Sequence, residues 1–212
     1  MHKLVIVING SGGVGKDSIC SIVGKHYSTM NISSVDPIKK IAFENGWDGR
    51  KNEKSRKFLA DLKQLFVDFN DLPCKYLLDK YQEILESNNE ILFVHIREPE
   101  EISKFKKSIQ EACITLLIRR NSHTKKEWNN SADDNVENFD YDFCYNNIKP
   151  LNELEKDFMK LFHIMIEKNN NWQYKEADCY QEERDYMALY AMGDFHLSFM
   201  AGKSMDVFGS VW

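Results

Sequence analysis

The stretch "NGSGGVGKDS", from Asn9 to Ser18, has the residue types and the spacing of a phosphate-binding loop. Its glycines and lysine match the pattern G-x-x-x-x-G-K, between an apolar run and a sequence of helical composition. Glycines let main-chain N–H groups turn inward around phosphates, and a helix N-terminus and a lysine add positive charge. We therefore predict that nine residues bind nucleotide phosphates: Gly10, Ser11, Gly12, Gly13, Val14, Gly15, Lys16, Asp17 and Ser18.

Asp17 is unusual, because most such loops carry Ser or Thr directly after the lysine. A carboxylate in the first turn suits the helix dipole but repels a phosphate. Ser18, one residue later, fills the hydroxyl position by the spacing of adenylate-kinase-like loops, and we predict that it is a magnesium ligand. Two roles stay open for Asp17: it orients Lys16 or a metal-bound water, or it only caps the helix.

Further charged residues fall where predicted strands end. The second predicted strand ends at Asp36. The third ends with His95 and Arg97, and the fourth ends with Arg119 and Arg120. His95 and Arg97 share one face, because side chains alternate along a strand. An arginine at a crevice needs an anion, so we predict that Arg97 binds a phosphate. His95 stands where P-loop proteins usually place an aspartate near the metal; a buried, hydrogen-bonded histidine is the alternative.

The predicted elements bring these residues to one edge of a sheet. "KLVIVI" is a buried strand by its β-branched composition. Later strands are predicted in "MNISSV", "EILFVHIRE", "ACITLLIRR" and "YDFCYNN", and helices lie between them. This alternation predicts a three-layer α/β/α fold around a mostly parallel five-stranded sheet. Ligands of such sheets bind beyond the carboxyl ends of the strands.

Length and composition predict a core domain over residues 1–168 and an extension over residues 169–212,. The extension is rich in aromatic residues and Met, and we expect it to be helical. It either packs on the core or forms a subunit contact in a homodimer. A net charge of −5 argues against nucleic acid as a partner,. "KLVIVI" is too short to span a membrane, and the five scattered cysteines fit a reducing compartment, so we expect a cytoplasmic protein,.

Six segments, in this order, resemble the deoxynucleoside monophosphate kinases of the P-loop NTPase superfamily. They are "GKDS", "DPIKKIA", "GWDGRKNEKSRKFLADL", "LFVHIREPEEISKF", "LLIRR" and "DDNVENFDYDFCYNN", and the resemblance as a whole covers roughly residues 3–165. A Gly-Lys-Asp loop is usual in that family, which makes Asp17 a subfamily feature. The resemblance implies a kinase that uses ATP and Mg²⁺ and phosphorylates a nucleoside monophosphate.

The resemblance also implies where the acceptor is held. Asp36 and His95 would lie near the acceptor nucleotide, together with Arg97; for Asp36 an N-cap of the following helix is the alternative. Arg50, Lys54 and Arg56 occupy the segment in which monophosphate kinases bind the acceptor. A solvated helix face is the alternative explanation of these charges.

Arg119 and Arg120 precede the place where nucleotide kinases carry a mobile lid, here residues 121–135. Lid arginines neutralise charge on the transferred phosphoryl group, so we expect at least one of them to act catalytically, with Lys16 and Arg97. The other arginine is expected to pair with Asp133 or Asp134.

Two alternatives remain from the sequence. One is a kinase of another small phosphorylated metabolite, because phosphomevalonate kinases share the Gly-Lys-Asp loop. The other is a non-catalytic nucleotide-binding module. The chain has no Asn-Lys-x-Asp sequence that would recognise guanine in a GTPase-like switch.

Overall fold

The computed structural model describes residues 3–50, 52–109, 113–120 and 136–170. Five strands form one sheet in the order β2-β3-β1-β4-β5, and each neighbouring pair is parallel. They are β1 (Leu4–Asn9), β2 (Thr29–Ser33), β3 (Ile91–His95), β4 (Cys113–Arg119) and β5 (Phe143–Asn146). The predicted five-stranded sheet is confirmed, with β1 at its centre.

Helices lie between β1 and β2, between β2 and β3 and between β3 and β4, as parallel pairing requires, and one more follows β5,. They are α1 (Lys16–Val23), α2 (Asp36–Glu44), α3 (Glu53–Asn70), α4 (Leu72–Glu86), α5 (Pro99–Ser108) and α6, which covers residues 151–170. Every helix predicted within the described ranges is present. The Asn run predicted as a linker begins inside α6, where Asn169 is only 4% exposed. The extension from residue 171 onward lies outside the described residues.

One face of the sheet packs against α4 and α5. Val5, Val7, Leu92 and Val94 of the strands belong to one buried cluster with residues of both helices. Those helix residues are Leu77, Tyr81, Ile84, Ile102 and Phe105. Alternation along β1 directs every second side chain to this face.

The alternate residues of β1, Ile6 and Ile8, are fully buried on the opposite face. Helices α1 and α6 also bury their apolar residues, including Ile19 and Phe158. The ring of Phe158 lies 5.1 Å from that of Tyr145 in β5, measured between centroids. Helices therefore cover both faces of the sheet, which confirms the three-layer α/β/α fold.

Helix α3 differs from the others, because none of its 18 residues is buried. Its exposed apolar side chains include Phe58, Leu65 and Phe69, at 44%, 65% and 81% exposure. It packs mainly against α2 and α4. The helix was predicted correctly, but its apolar face does not join the central core. In the described ranges, no helix combines the length and hydropathy that crossing a membrane would need.

Candidate active site at the carboxyl edge of the sheet

The glycine-rich loop connects the end of β1 to the start of α1 through three glycines at positive φ. Gly10, Gly13 and Gly15 have φ values of 144°, 80° and 100°. A Cβ atom on Gly10 would collide with the main-chain oxygen of Ile118, so the loop begins directly against β4. Gly15 is the N-cap of α1 in the left-handed conformation. These values explain why the loop needs glycine at these positions.

Lys16 directs its ammonium group back over the beginning of the loop. Its Nζ atom donates to the main-chain oxygen of Ser11 at 3.0 Å and to that of Gly10. The first turn of α1 follows at once, and it carries Asp17 and Ser18 exposed to solvent. The predicted lysine, hydroxyl and helix N-terminus therefore occur together, as a phosphate site requires.

Asn9 holds the start of the loop, although it was not among the predicted site residues. It is fully buried, and its Oδ1 accepts a hydrogen bond from Gly10 N at 2.8 Å. Its Nδ2 donates to the Arg97 main-chain oxygen at 3.0 Å and to Tyr141 Oη at 2.7 Å. Tyr141 Oη in turn donates to the Val136 main-chain oxygen at 2.9 Å. A polar residue that ends an apolar strand was the signal that could have identified Asn9.

Asn147 is a second asparagine that the sequence analysis missed. It follows β5, is 7% exposed, and donates from Nδ2 to the main-chain oxygen of Val14 at 2.8 Å. Its main-chain N–H donates to the Arg119 oxygen at 2.7 Å. The loop is therefore fixed at its start by β1 and near its end by the residue after β5.

His95 ends β3 beside the loop and is half-buried. Its Nε2 lies 3.8 Å from Cys20 Sγ on α1. Burial lowers the pKa of His95; the Asp17 carboxylate opposes this shift and the Lys16 ammonium supports it. The imidazole is therefore neutral at neutral pH. A contact of His95 with the acceptor stays a prediction.

Arg97 and Asp36 lie near the same edge. Arg97 follows β3 and is half-buried, and its main chain is tied to Asn9. Asp36 begins α2; its Oδ2 accepts from Ser33 N at 2.8 Å and its Oδ1 from Lys39 Nζ at 3.4 Å. Asp36 therefore stabilises the turn between β2 and α2, and a contact with an acceptor stays a prediction.

Arg119, at the end of β4, forms a salt bridge with Glu137 through Nε, at 3.0 Å from both carboxylate oxygens, and through Nη2. Both side chains are about half exposed, at 46% and 55%. Arg120 is also exposed. The predicted lid and its partners Asp133 and Asp134 lie outside the described residues.

The predicted acceptor cations Arg50, Lys54 and Arg56 are exposed in the segment that joins α2 to α3 and begins α3. Arg50 Nε lies 3.0 Å from Asp48 Oδ2. Trp47, just before them, packs its ring on Phe43 with centroids 4.6 Å apart. Exposed side chains are expected both for cations that bind an acceptor and for a solvated helix face. The role of these three residues therefore stays a prediction.

Magnesium fits this site only with the help of nucleotide phosphates. Among the described residues, no group of three His, Cys, Asp or Glu side chains could hold a metal ion. The hydroxyl of Ser18 is a hard oxygen donor in the first turn of α1, which suits Mg²⁺,. Phosphate oxygens, Ser18 and waters would together hold the ion, which would bridge and partly neutralise the phosphates.

No family model matches this chain, and no curated protein matches it. Solved structures similar to it include a sugar kinase from Janibacter sp., at 9% identity and a TM-score of 0.47, over 77% of this chain and 96% of that one. A gluconokinase from Sinorhizobium meliloti has 14% identity and a TM-score of 0.43 over 81% and 97% of the two chains. Shikimate kinase from Aquifex aeolicus has 14% identity and a TM-score of 0.41 over 76% and 96%.

Proposed function

We propose that this protein is a kinase that transfers the γ-phosphoryl group of ATP to a (deoxy)nucleoside monophosphate. The observation that carries the proposal is the glycine-rich loop, with Lys16 directed back over it and Arg97 following the adjacent strand. Main-chain N–H groups and one ammonium group suit a polyphosphate. The nearby guanidinium group suits a second anion or the group in transit.

In this reaction an oxygen of the acceptor phosphate attacks the γ-phosphorus, the bond to the β-phosphate oxygen breaks, and ADP leaves. The protein contributes alignment of two anions and stabilisation of the charge that spreads over the transferred group. Lys16 exchanges the carbonyl oxygens of Gly10 and Ser11 for phosphate oxygens. Ser18 would help to hold Mg²⁺, whose charge would partly neutralise the phosphates.

Arg119 is able to join the reacting phosphates, because its present contact is weak. An exposed ion pair such as that with Glu137 contributes about 1 kcal/mol or less,. An arginine that contacts the transferred phosphoryl group commonly accelerates the reaction by about a thousandfold or more. Stabilisation of the charge on the transferred group therefore outweighs the loss of the pair with Glu137, and Arg120 is the second candidate for the role.

The acceptor is proposed from the resemblance and from the exposed cations of the segment after α2. Arg50, Lys54 and Arg56 lie close in sequence and would meet the acceptor phosphate, while Asp36 and His95 would face its nucleoside part. Replacement of each cation by alanine should raise the KM for the acceptor and leave the KM for ATP unchanged. A change in both constants would contradict this assignment.

A product assay with ATP, Mg²⁺ and a panel of phosphorylated acceptors tests the function. The panel contains deoxynucleoside and ribonucleoside monophosphates and small phosphorylated metabolites such as phosphomevalonate. Formation of a nucleoside diphosphate supports the proposal, and transfer only to a metabolite supports the alternative kinase. Binding of ATP without any product would leave a nucleotide-binding module.

Lys16→Ala should abolish transfer and leave the fold intact, because Lys16 is only half-buried and does not belong to the core. The matched control is Lys160→Ala, which removes an exposed lysine on α6. Circular dichroism checks the fold of both variants. Transfer by Lys16→Ala at the rate of Lys160→Ala would refute the assigned donor site.

A further inference from the structure

We propose that Asn147 is a positioning residue for the donor phosphates, because its side chain turns the Gly15 N–H into the phosphate-binding loop. This inference rests on the donor half of the proposed function. It does not depend on the identity of the acceptor.

The contact between Asn147 and the loop is short and buried. Asn147 Nδ2 donates to the Val14 main-chain oxygen at 2.8 Å, and the side chain is 7% exposed. A Cβ atom on Gly15 would collide with the same Nδ2 atom, so the amide lies directly against the Val14–Gly15 peptide. Glycine at position 15 therefore serves two needs, its positive φ of 100° and room for this amide.

The direction of one peptide group follows from this contact. The described peptide bonds are trans, so the Val14 carbonyl and the Gly15 N–H point in opposite directions,. Because Asn147 draws the carbonyl toward β5, the N–H of Gly15 points away from β5. That N–H belongs to the N-cap of α1, where main-chain donors meet an anion,.

Asn147 is itself fixed independently of the loop. Its main-chain N–H donates to the Arg119 oxygen at 2.7 Å, at the end of β4. The side-chain amide therefore starts from a rigid sheet edge and reaches a loop of flexible glycines. Without this contact the Val14–Gly15 peptide is free to rotate, and its oxygen is then able to face the phosphates and repel them.

The chain provides a matched control in Asn146. This neighbouring asparagine is exposed at the end of β5, so Asn146→Ala makes the same chemical change without touching the loop. Loss of a neutral hydrogen bond of this kind weakens an interaction by up to about tenfold. We expect tripolyphosphate to bind about tenfold more weakly to Asn147→Ala than to wild type, and within twofold of wild type to Asn146→Ala. Asn147→Asp should bind more weakly still, because its carboxylate repels both the Val14 oxygen and the anion.

Isothermal titration of the full chain with tripolyphosphate and, separately, with adenosine distinguishes positioning from general damage. A positioning role weakens binding of tripolyphosphate and leaves the affinity for adenosine unchanged. Equal affinities of Asn147→Ala and Asn146→Ala for tripolyphosphate would overturn the proposal, and so would a parallel loss of both ligands. If wild type binds tripolyphosphate but phosphorylates no monophosphate, the proposed function fails and this inference stands.

A second measurement uses wild-type protein and covers the case in which Asn147→Ala does not fold. The chain contains ten glycines, so ¹⁵N-glycine labelling gives a simple amide spectrum. Addition of tripolyphosphate should move the Gly15 amide proton downfield, as expected for an N–H that donates to an anion. A Gly15 resonance that stays in place while other loop glycines shift would refute the proposed orientation.

Discussion

Replacement of Glu101 by glutamine should remove a pH dependence of stability that originates between α3 and α5. Lys63 of α3 lies 2.7 Å from Glu98 and 2.8 Å from Glu101, measured from Nζ to the carboxylate oxygens. Its side chain is only 11% exposed, and those of the two glutamates are 32% and 21% exposed. One ammonium group therefore forms salt bridges with two largely buried carboxylates.

The two carboxylates respond differently to this arrangement. Burial raises the pKa of Glu101 to about 7, and the Glu98 carboxylate adds to this shift against the attraction of Lys63. For Glu98, burial acts in the same direction, but Lys63 and a hydrogen bond from Glu101 outweigh it and lower the pKa. At neutral pH the pair thus shares one proton for part of the time, as like charges in contact require.

The magnitude follows from the shift of Glu101. Its folded-state pKa lies above the ordinary value of 4.5, so its contribution to stability is complete below pH 4.5 and is lost as pH rises through about 7,. At 1.36 kcal/mol per pKa unit, the loss between pH 5 and pH 8 is about 2 to 3 kcal/mol. Glu98 has the opposite sign, and its contribution is lost only as pH falls below its ordinary range.

Urea unfolding followed by circular dichroism at pH 5 and pH 8 measures this effect. Between pH 5 and pH 8 the free energy of unfolding of wild type should fall by about 2 to 3 kcal/mol more than that of Glu101→Gln, which lacks the titrating group,. Glu100→Gln is the matched control, because Glu100 is the exposed neighbour in the same helical turn. Lys63→Met should destabilise by about 3 kcal/mol at pH 8, since it leaves two carboxylates without their cation, and by less at pH 5. An equal change for Glu101→Gln and wild type would refute this account.

Three further predictions concern the loop and the buried side chains. Gly10→Ala should lower the free energy of unfolding by about 3 kcal/mol or more, because its Cβ would be strained and would clash with β4,. Gly13→Ala has open space around its Cβ, so the loss measured by urea unfolding should be about 1 kcal/mol,. Tyr141→Phe should cost about 1 to 2 kcal/mol in the same assay, because it removes the hydroxyl that satisfies a buried asparagine amide,. Iodoacetamide at pH 8 should alkylate exposed Cys144 well before Cys113, whose pKa burial raises to about 12, as peptide mass spectrometry would show,.

The sequence predicted the parts of this protein that depend on local patterns. The β-branched run of β1 and the spacing from Gly10 to Lys16 are each contained in a few residues, so strand, loop and helix were all located correctly. The apolar period of α3 also predicted a helix. It could not reveal what the helix packs against, and the structure leaves Phe69 81% exposed.

The contacts that fix the candidate site join residues far apart in sequence, so local patterns do not predict them. Asn9 and Tyr141 are 132 residues apart in sequence, and Asn147 and Val14 are 133 apart. Arg119 pairs with Glu137, which was not predicted as a partner of either arginine. Such pairings depend on strand order and on the positions of chain ends within the sheet, which a motif search does not supply.

The two buried asparagines connect the proposed phosphate-binding groups to the arginines. Asn9 fixes Gly10 and also the main chain of Arg97, while Asn147 fixes Val14 and is itself held by the main chain of Arg119. A buried amide without its partners is costly, so each asparagine holds its two neighbours at a set distance. Donors that are already oriented stabilise developing charge without reorganisation during the reaction. For the proposed kinase reaction this arrangement requires little movement of the loop or of the ends of β1 and β4, where Lys16 and Arg119 would change contacts by side-chain rotation.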